Sequence, residues 1–187
     1  MSGIICLVSF FVTTSATAAD FAVMVKSGAV NLWDDKQRLD GVQRDFDDSG
    51  NKIFSIGWEI RNQKNVGLGM EYTNFKHEFT PPASTGMTRT QVYLFTAKKY
   101  FVPHEMIRPF FGIGLGWGHA KYDDGIGNVD RDMNAALQAS MGIEFLFAEN
   151  FGFYTELKGL ASNTDGESEN EFDFSSTGLM AGVSFVF

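Results

Sequence analysis

The sequence predicts an all-β fold, an eight-stranded antiparallel up-and-down transmembrane β-barrel, on three observations. Eight segments alternate apolar with polar or small residues at period two, the pattern of strands that turn one face to an apolar phase. Their connections alternate as well: short at 61–65, 102–106 and 148–150, long and polar at 33–52, 74–87, 122–132 and 162–176. Past the first twenty residues, no apolar run reaches the roughly eighteen residues that a membrane-crossing helix needs. A sheet that crosses a bilayer has to close on itself, because hydrocarbon cannot hydrate a free strand edge.

The 187 residues suit one domain, 20–187, behind a signal peptide at 1–19. An apolar stretch at 4–12, broken only by Ser9, leads through Thr13, Thr14 and Ser15 to Ala16-Thr17-Ala18-Ala19. That is a short hydrophobic core followed by a small-residue cleavage site, although no Lys or Arg precedes it. The single cysteine, Cys6, lies inside the leader, so the exported domain is expected to have no disulfide and no thiolate chemistry. Phe occurs 19 times and Gly 20 times against 4 Pro, which fits a membrane barrel whose individual strands carry weak hydropathy. The net charge of −8 argues against a nucleic-acid partner.

The first segment, 21–33, sets Phe21, Val23 and Val25 on one face, then shifts register near Ser27-Gly28 to Val30 and Leu32, which predicts a bulge. The second, 53–61, opposes Phe54, Ile56, Trp58 and Ile60 to Ser55, Gly57, Glu59 and Arg61. A tight polar turn then leads to the third, where Val66, Leu68, Met70 and Tyr72 oppose Gly67, Gly69, Glu71 and Thr73, completing a hairpin. In the fourth, 88–101, both registers are apolar; Arg89 and Gln91 favour Val92 and Leu94 as the outward pair. The fifth is the cleanest: Pro109, Phe111, Ile113, Leu115 and Trp117 alternate with Phe110 and four glycines. The sixth sets Leu137, Met141, Ile143 and Phe145 against Gln138, Ser140, Gly142 and Glu144. The seventh sets Phe151, Phe153 and Leu157 against Gly152, Tyr154, Glu156 and Lys158. The eighth, 177–187, is apolar at Leu179, Ala181, Val183, Phe185 and Phe187. A soluble barrel would turn these apolar faces inward and expose the glycine register of the fifth segment, so outward apolar faces are expected.

Arg108-Pro109-Phe110-Phe111-Gly112-Ile113-Gly114-Leu115-Gly116 resembles a strand of the small eight-stranded outer-membrane barrel superfamily, the opacity-protein and OmpA-like transmembrane domains. Gly142-Ile143-Glu144-Phe145, Glu149-Asn150 and Glu156 are similar to its penultimate hairpin, and Phe187 to its terminal aromatic. The resemblance implies a Gram-negative outer-membrane location, with short turns periplasmic and long loops outside. It also implies that Val183, Phe185 and Phe187 form the C-terminal signal read by the barrel-assembly machinery during insertion. Adhesins, small pores, lipid-modifying enzymes and stabilising proteins share this scaffold.

The expected inward register holds Glu59, Arg61, Glu71, Arg89, Arg108, Glu144, Glu156 and Lys158. Charges of both signs inside a barrel of this size are expected to pair across strands as a polar plug, the alternative being a narrow pathway that they line. Asp45, Asp47 and Ser49 before Gly50 fit the opening of a calcium loop. The acidic residue that should end such a loop falls on Ile56, so a solvated acidic turn is the stronger reading. Asp165, Glu167, Glu169, Glu171 and Asp173 make an acidic loop, suited to solvent or to divalent-mediated contact with lipopolysaccharide. His77, His104 and His119 show no arrangement with serine and an acid, so no catalytic residue and no cofactor is expected. The functional expectation is a monomeric, non-enzymatic barrel that stabilises the envelope or contacts a host or matrix ligand through four acidic loops, in contact with outer-membrane lipid and lipopolysaccharide. A small channel for ions or small apolar solutes and a lipid A-modifying enzyme are the alternatives.

Overall fold

The computed structural model describes residues 19–33, 36–39, 42–45, 51–78, 87–101, 106–123, 129–148, 150–163 and 173–187. Apart from Ala19, the expected signal peptide lies outside these residues. In chain order the strands are β1 (Asp20–Leu32), β2 (Lys36–Leu39), β3 (Val42–Asp45), β4 (Asn51–Arg61), β5 (Val66–Glu78), β6 (Met87–Tyr100), β7 (Ile107–Asp123), β8 (Val129–Ala148), β9 (Phe151–Asn163) and β10 (Ser176–Val186). Eight of them form one closed barrel in the order β1-β10-β9-β8-β7-β6-β5-β4, with every pair antiparallel. First and last strands meet at the seam. Phe21 N donates to Phe187 O at 3.2 Å, and Phe187 N donates to Phe21 O at 2.8 Å.

Local chemistry sets the short turns. Between β4 and β5 the Asn62 side-chain oxygen accepts from the backbone N–H of Lys64 at 2.9 Å and of Val66 at 3.1 Å. Asn65 takes a φ of 61°, the left-handed region that asparagine tolerates better than most residues. The barrel buries charged side chains within and turns large apolar side chains outward, the inverse of a water-soluble domain. Leu115, Leu137 and Leu179 are each more than 60% exposed, while Lys26, Glu59, Glu144 and Glu156 are at most 1% exposed. Aromatic rings run over the outer wall, with Tyr72–Tyr93 centroids at 5.2 Å and Tyr93–Trp117 at 6.0 Å. Such a wall matches hydrocarbon with an aromatic girdle.

Three expectations are corrected. β1 carries no bulge: its pairing with β10 is continuous from Ala22 to Leu32, so Val30 and Leu32 face inward with Met24 and Lys26. The one register shift in the barrel ladders described lies between Leu146 and Ala148 on β8. β6 is turned over relative to the expected face. Val92 and Leu94 are buried in the barrel, while Tyr93 and Phe95 join the outer aromatics. Its inward register also carries Thr88, Thr90, Thr96 and Lys98, and this polar set outweighs the Arg89 and Gln91 that suggested the opposite face. Finally, the first long connection contains a hairpin, β2–β3, pairing Lys36 with Asp45 and Leu39 with Val42. Asp40 and Gly41 stand between its strands in sequence, a pair favoured in tight hairpins.

Candidate functional site

The lumen is organised in layers along the strands. Toward the short-turn end, β4 presents Glu59 and Arg61 inward, two residues apart. Arg61 Nη1 and Nη2 donate to the two carboxylate oxygens of Glu144 on β8 at 2.8 and 2.9 Å, and its Nε donates to Glu59 at 2.6 Å. Tyr100 donates to Glu59 at 2.5 Å and accepts from Arg61 at 3.1 Å, while Ser184 donates to Glu144 at 2.7 Å. Lys98 Nζ lies 3.5 Å from the other Glu59 oxygen and donates to the Tyr154 hydroxyl at 2.9 Å. A fork of two parallel N–H donors on one carboxylate is the strongest and most directional arrangement available to arginine.

Farther up, Lys26 on β1 lies between Glu71 on β5, at 3.0 Å, and Glu156 on β9. Lys158 pairs with the second oxygen of Glu71, which also accepts from Ser55 at 2.6 Å. Two chains of alternating charge result: Glu144–Arg61–Glu59–Lys98 and Glu156–Lys26–Glu71–Lys158. Four carboxylates balance four cations, so the buried cluster is neutral. That balance is what makes so many charges tolerable away from water.

The long-loop end of the lumen is built around an apolar cluster, with Thr88, Thr90, Asn134 and Ser176 also buried at that end. Val30, Leu32, Ile53, Phe75, Val92, Leu94, Leu160, Phe174 and Met180 pack with Ala120 and Ala136 as one cluster. Phe174 comes from the segment before β10 and is fully buried. Its backbone is held in place: Phe174 N donates to Ser162 Oγ at 3.0 Å, and Ser162 Oγ donates to Asp173 at 2.6 Å. Gly118 makes room for its ring, since a Cβ there would come within 2.5 Å of it.

Six of the eight residues expected in the lumen meet there: Glu59, Arg61, Glu71, Glu144, Glu156 and Lys158. Arg108 is half-buried at the short-turn mouth, facing inward on β7 opposite Glu144 in the ladder, with no partner on its Nε among the described residues. Arg89 is the correction: it is exposed on the outer wall, because β6 turns its other face inward. Lys26 and Lys98 were not foreseen, and both follow once β1 and β6 are given their true registers. Val183, Phe185 and Phe187 lie on the outward register of the closing seam. Asp45 ends β3 opposite Lys36, while Asp47 and Ser49 lie outside the described residues. Among the described residues no group of three or more His, Cys, Asp or Glu could hold a metal ion. His119 is half-buried on the outer wall; the side chains of His77 and His104 lie outside the described residues, as does the acidic stretch 164–172.

No family model matches the chain, and no curated protein matches it in sequence. Solved structures do match. Neisserial surface protein A superposes with a TM-score of 0.62 at 17% identity, covering 91% of this chain and 100% of that one. The outer membrane protein OprG of Pseudomonas aeruginosa gives 0.59 at 13% identity over 92% and 98%. Ail, the attachment invasion locus protein of Yersinia pestis, gives 0.56 at 17% identity over 90% and 97%. Another structure of Ail holds the heparin analogue sucrose octasulfate. With its closed wall, apolar exterior and these likenesses, the chain has the fold of the small eight-stranded outer-membrane barrels.

Proposed function

We propose that this chain resides in the outer membrane of a Gram-negative envelope and works from its outer surface, as a non-enzymatic protein that stabilises the envelope or contacts an external partner through its long connections. The observation that carries this reading is the filled lumen. A neutral ion-pair network spans the short-turn half, and an apolar cluster sealed by Phe174 occupies the rest. A solute would have to break bidentate and buried ion pairs in the first layer and displace a packed aromatic in the second. Side chains projecting from a rigid wall leave the loops as the place for recognition. The Ail complex supports the same direction, since a barrel of this architecture there holds a sulfated ligand.

The test is a chain in which the segments 34–50, 79–86, 124–128 and 164–172 are each replaced by a short Gly/Asn turn. The barrel should still insert and still migrate anomalously on gels before heating, while envelope protection or surface binding by the full chain is lost. Retention of the phenotype by the loopless barrel, together with its loss in Arg61 or Glu71 variants that still fold, would contradict the proposal.

A further inference from the structure

The chain has fifteen Lys and Arg against a net charge of −8, and the barrel sorts these cations by place. Lys26, Arg61, Lys98 and Lys158 are buried in the lumen. Four others, Lys52, Lys76, Arg89 and Lys121, fall at one height on the opposite side of the wall. The ladder pairs Lys76 with Arg89, Arg89 with Lys121, and Lys121 with Arg131. One step beyond the Ile53–Phe75 pair, Lys52 comes beside Lys76. Lys52, Lys76, Arg89 and Lys121 are exposed and occupy the outward register. The row runs across four adjacent strands, β4 to β7, a width of roughly 14 Å at the usual interstrand spacing.

What lies beneath the row is ordered as well. Two residues nearer the middle of the wall the same ladders align Asn74, Gln91 and His119; two residues farther they align Tyr72, Tyr93 and Trp117. The Tyr72 hydroxyl accepts from Asn74 at 3.0 Å and from Gln91 at 2.7 Å, tying the amide row to the aromatic row. Over about 13 Å of strand the wall passes from aromatic ring to amide to cation. Glu78 and Asp123 align with Met87 at the next register positions but one, on the loop side of the row.

We propose that this wall is a binding site for the phosphate-bearing headgroups of outer-leaflet lipids, with Lys76, Arg89 and Lys121 as the phosphate ligands and Lys52 at the flank. The occupant follows from position. Cations in the lipid-facing register, directly above the Tyr72–Tyr93–Trp117 aromatic row, meet headgroups before they meet any soluble molecule. Charge complementarity then selects the phosphate. The inference rests on the membrane residence proposed above. It also gives an acidic chain an attractive, oriented contact with an anionic leaflet.

The experiment uses single-tryptophan forms of the full chain in phosphatidylcholine vesicles: Trp117 alone (Trp33→Phe with Trp58→Phe) and Trp33 alone (Trp58→Phe with Trp117→Phe). Brominated phosphatidylcholine or brominated phosphatidic acid is added, and quenching of each indole reads the lipid beside it. Near-surface cations favour anionic lipid by about 1 kcal/mol each, so Trp117 should prefer the phosphatidic acid by about five-fold or more. The preference should weaken with added salt and disappear in Lys76→Gln/Arg89→Gln/Lys121→Gln. Trp33, whose indole lies on Thr177 of β10 and beside Gly159 of β9, off the row, should treat both lipids alike. Parity at Trp117, an equal preference at Trp33, or a preference that survives both the triple variant and salt would overturn the site. Loss of the preference on adding inorganic phosphate at millimolar concentration would assign the row to soluble phosphate and overturn the lipid assignment. Absence of quenching by either lipid would overturn membrane residence and the site together, so the two failures are distinguishable.

Discussion

Glu71 is the residue on which two cations depend, and its removal gives the sharpest test of the ion-pair plug. Lys26 lies 3.0 Å from one of its oxygens, and Lys158 pairs with the other. At an effective dielectric of about 20, a unit pair at that separation attracts by about 5 kcal/mol, most of it offset by the cost of taking both charges out of water. Glu71→Leu leaves Lys26 and Lys158 to share Glu156, one uncompensated positive charge in a sealed interior. Stranding a buried charge costs about 3–5 kcal/mol. Glu71→Leu/Lys158→Met removes one charge of each sign and leaves Lys26 paired with Glu156, so it should regain at least about 2 kcal/mol of that loss. Reversible urea unfolding in lipid vesicles, followed by tryptophan emission and by gel mobility, measures all the corners of the cycle. A Glu71→Leu effect below about 1 kcal/mol, or a double variant no more stable than the single, would contradict the charge-balanced network.

Three further predictions follow from other layers. Arg61→Lys keeps the charge but loses the fork on Glu144 and the Nε contact with Glu59; it should cost about 3 kcal/mol in the same unfolding assay, and a loss under about 1 kcal/mol would contradict the geometry. Phe174→Ala should destabilise the barrel by about 3 kcal/mol through loss of buried ring contacts, yet leave it closed to ions because the polar layer beneath is untouched; conductance of the folded variant checks this. Leu137→Arg, at a position 64% exposed, should cost about 2–4 kcal/mol in bilayers, where a comparable change on a water-facing surface costs within about 0.5 kcal/mol. An effect of the latter size would mean the outer wall is not in hydrocarbon.

Strands β4, β5, β7, β8, β9 and β10 were legible in the sequence because one of their registers is the more continuously apolar and the other carries most of the glycines and polar residues. In β7, glycines alternate with Pro109, Phe111, Ile113, Leu115 and Trp117, and one orientation alone is tenable. β6 defeats that logic, since Val92 and Leu94 compete with Tyr93 and Phe95 on equal terms. The decision comes from neighbours: Tyr93 finds Tyr72 and Trp117 outside, while Leu94 finds the apolar cluster inside. β1 misleads for a related reason. Val23 and Val25 face out and Val30 and Leu32 face in, so a straight strand mimics a register shift, and Lys26 is hidden within it. Both errors share one assumption, that an inward face in a membrane barrel is polar along its whole length. Here the long-loop half of the lumen is built around an apolar cluster, and the part played by Phe174 depends on a tertiary contact with Gly118 that no periodicity encodes.

The most direct measurement is ion conductance of the refolded chain in planar bilayers, on protein shown to be folded by its heat-dependent gel shift. A lumen closed by the Arg61–Glu144 and Lys26–Glu71 layers predicts a silent membrane at every voltage the bilayer tolerates. Reproducible unitary steps that change with Glu144→Ala would mean that the charged layers line an open pathway, and the working surface would have to be sought inside the barrel.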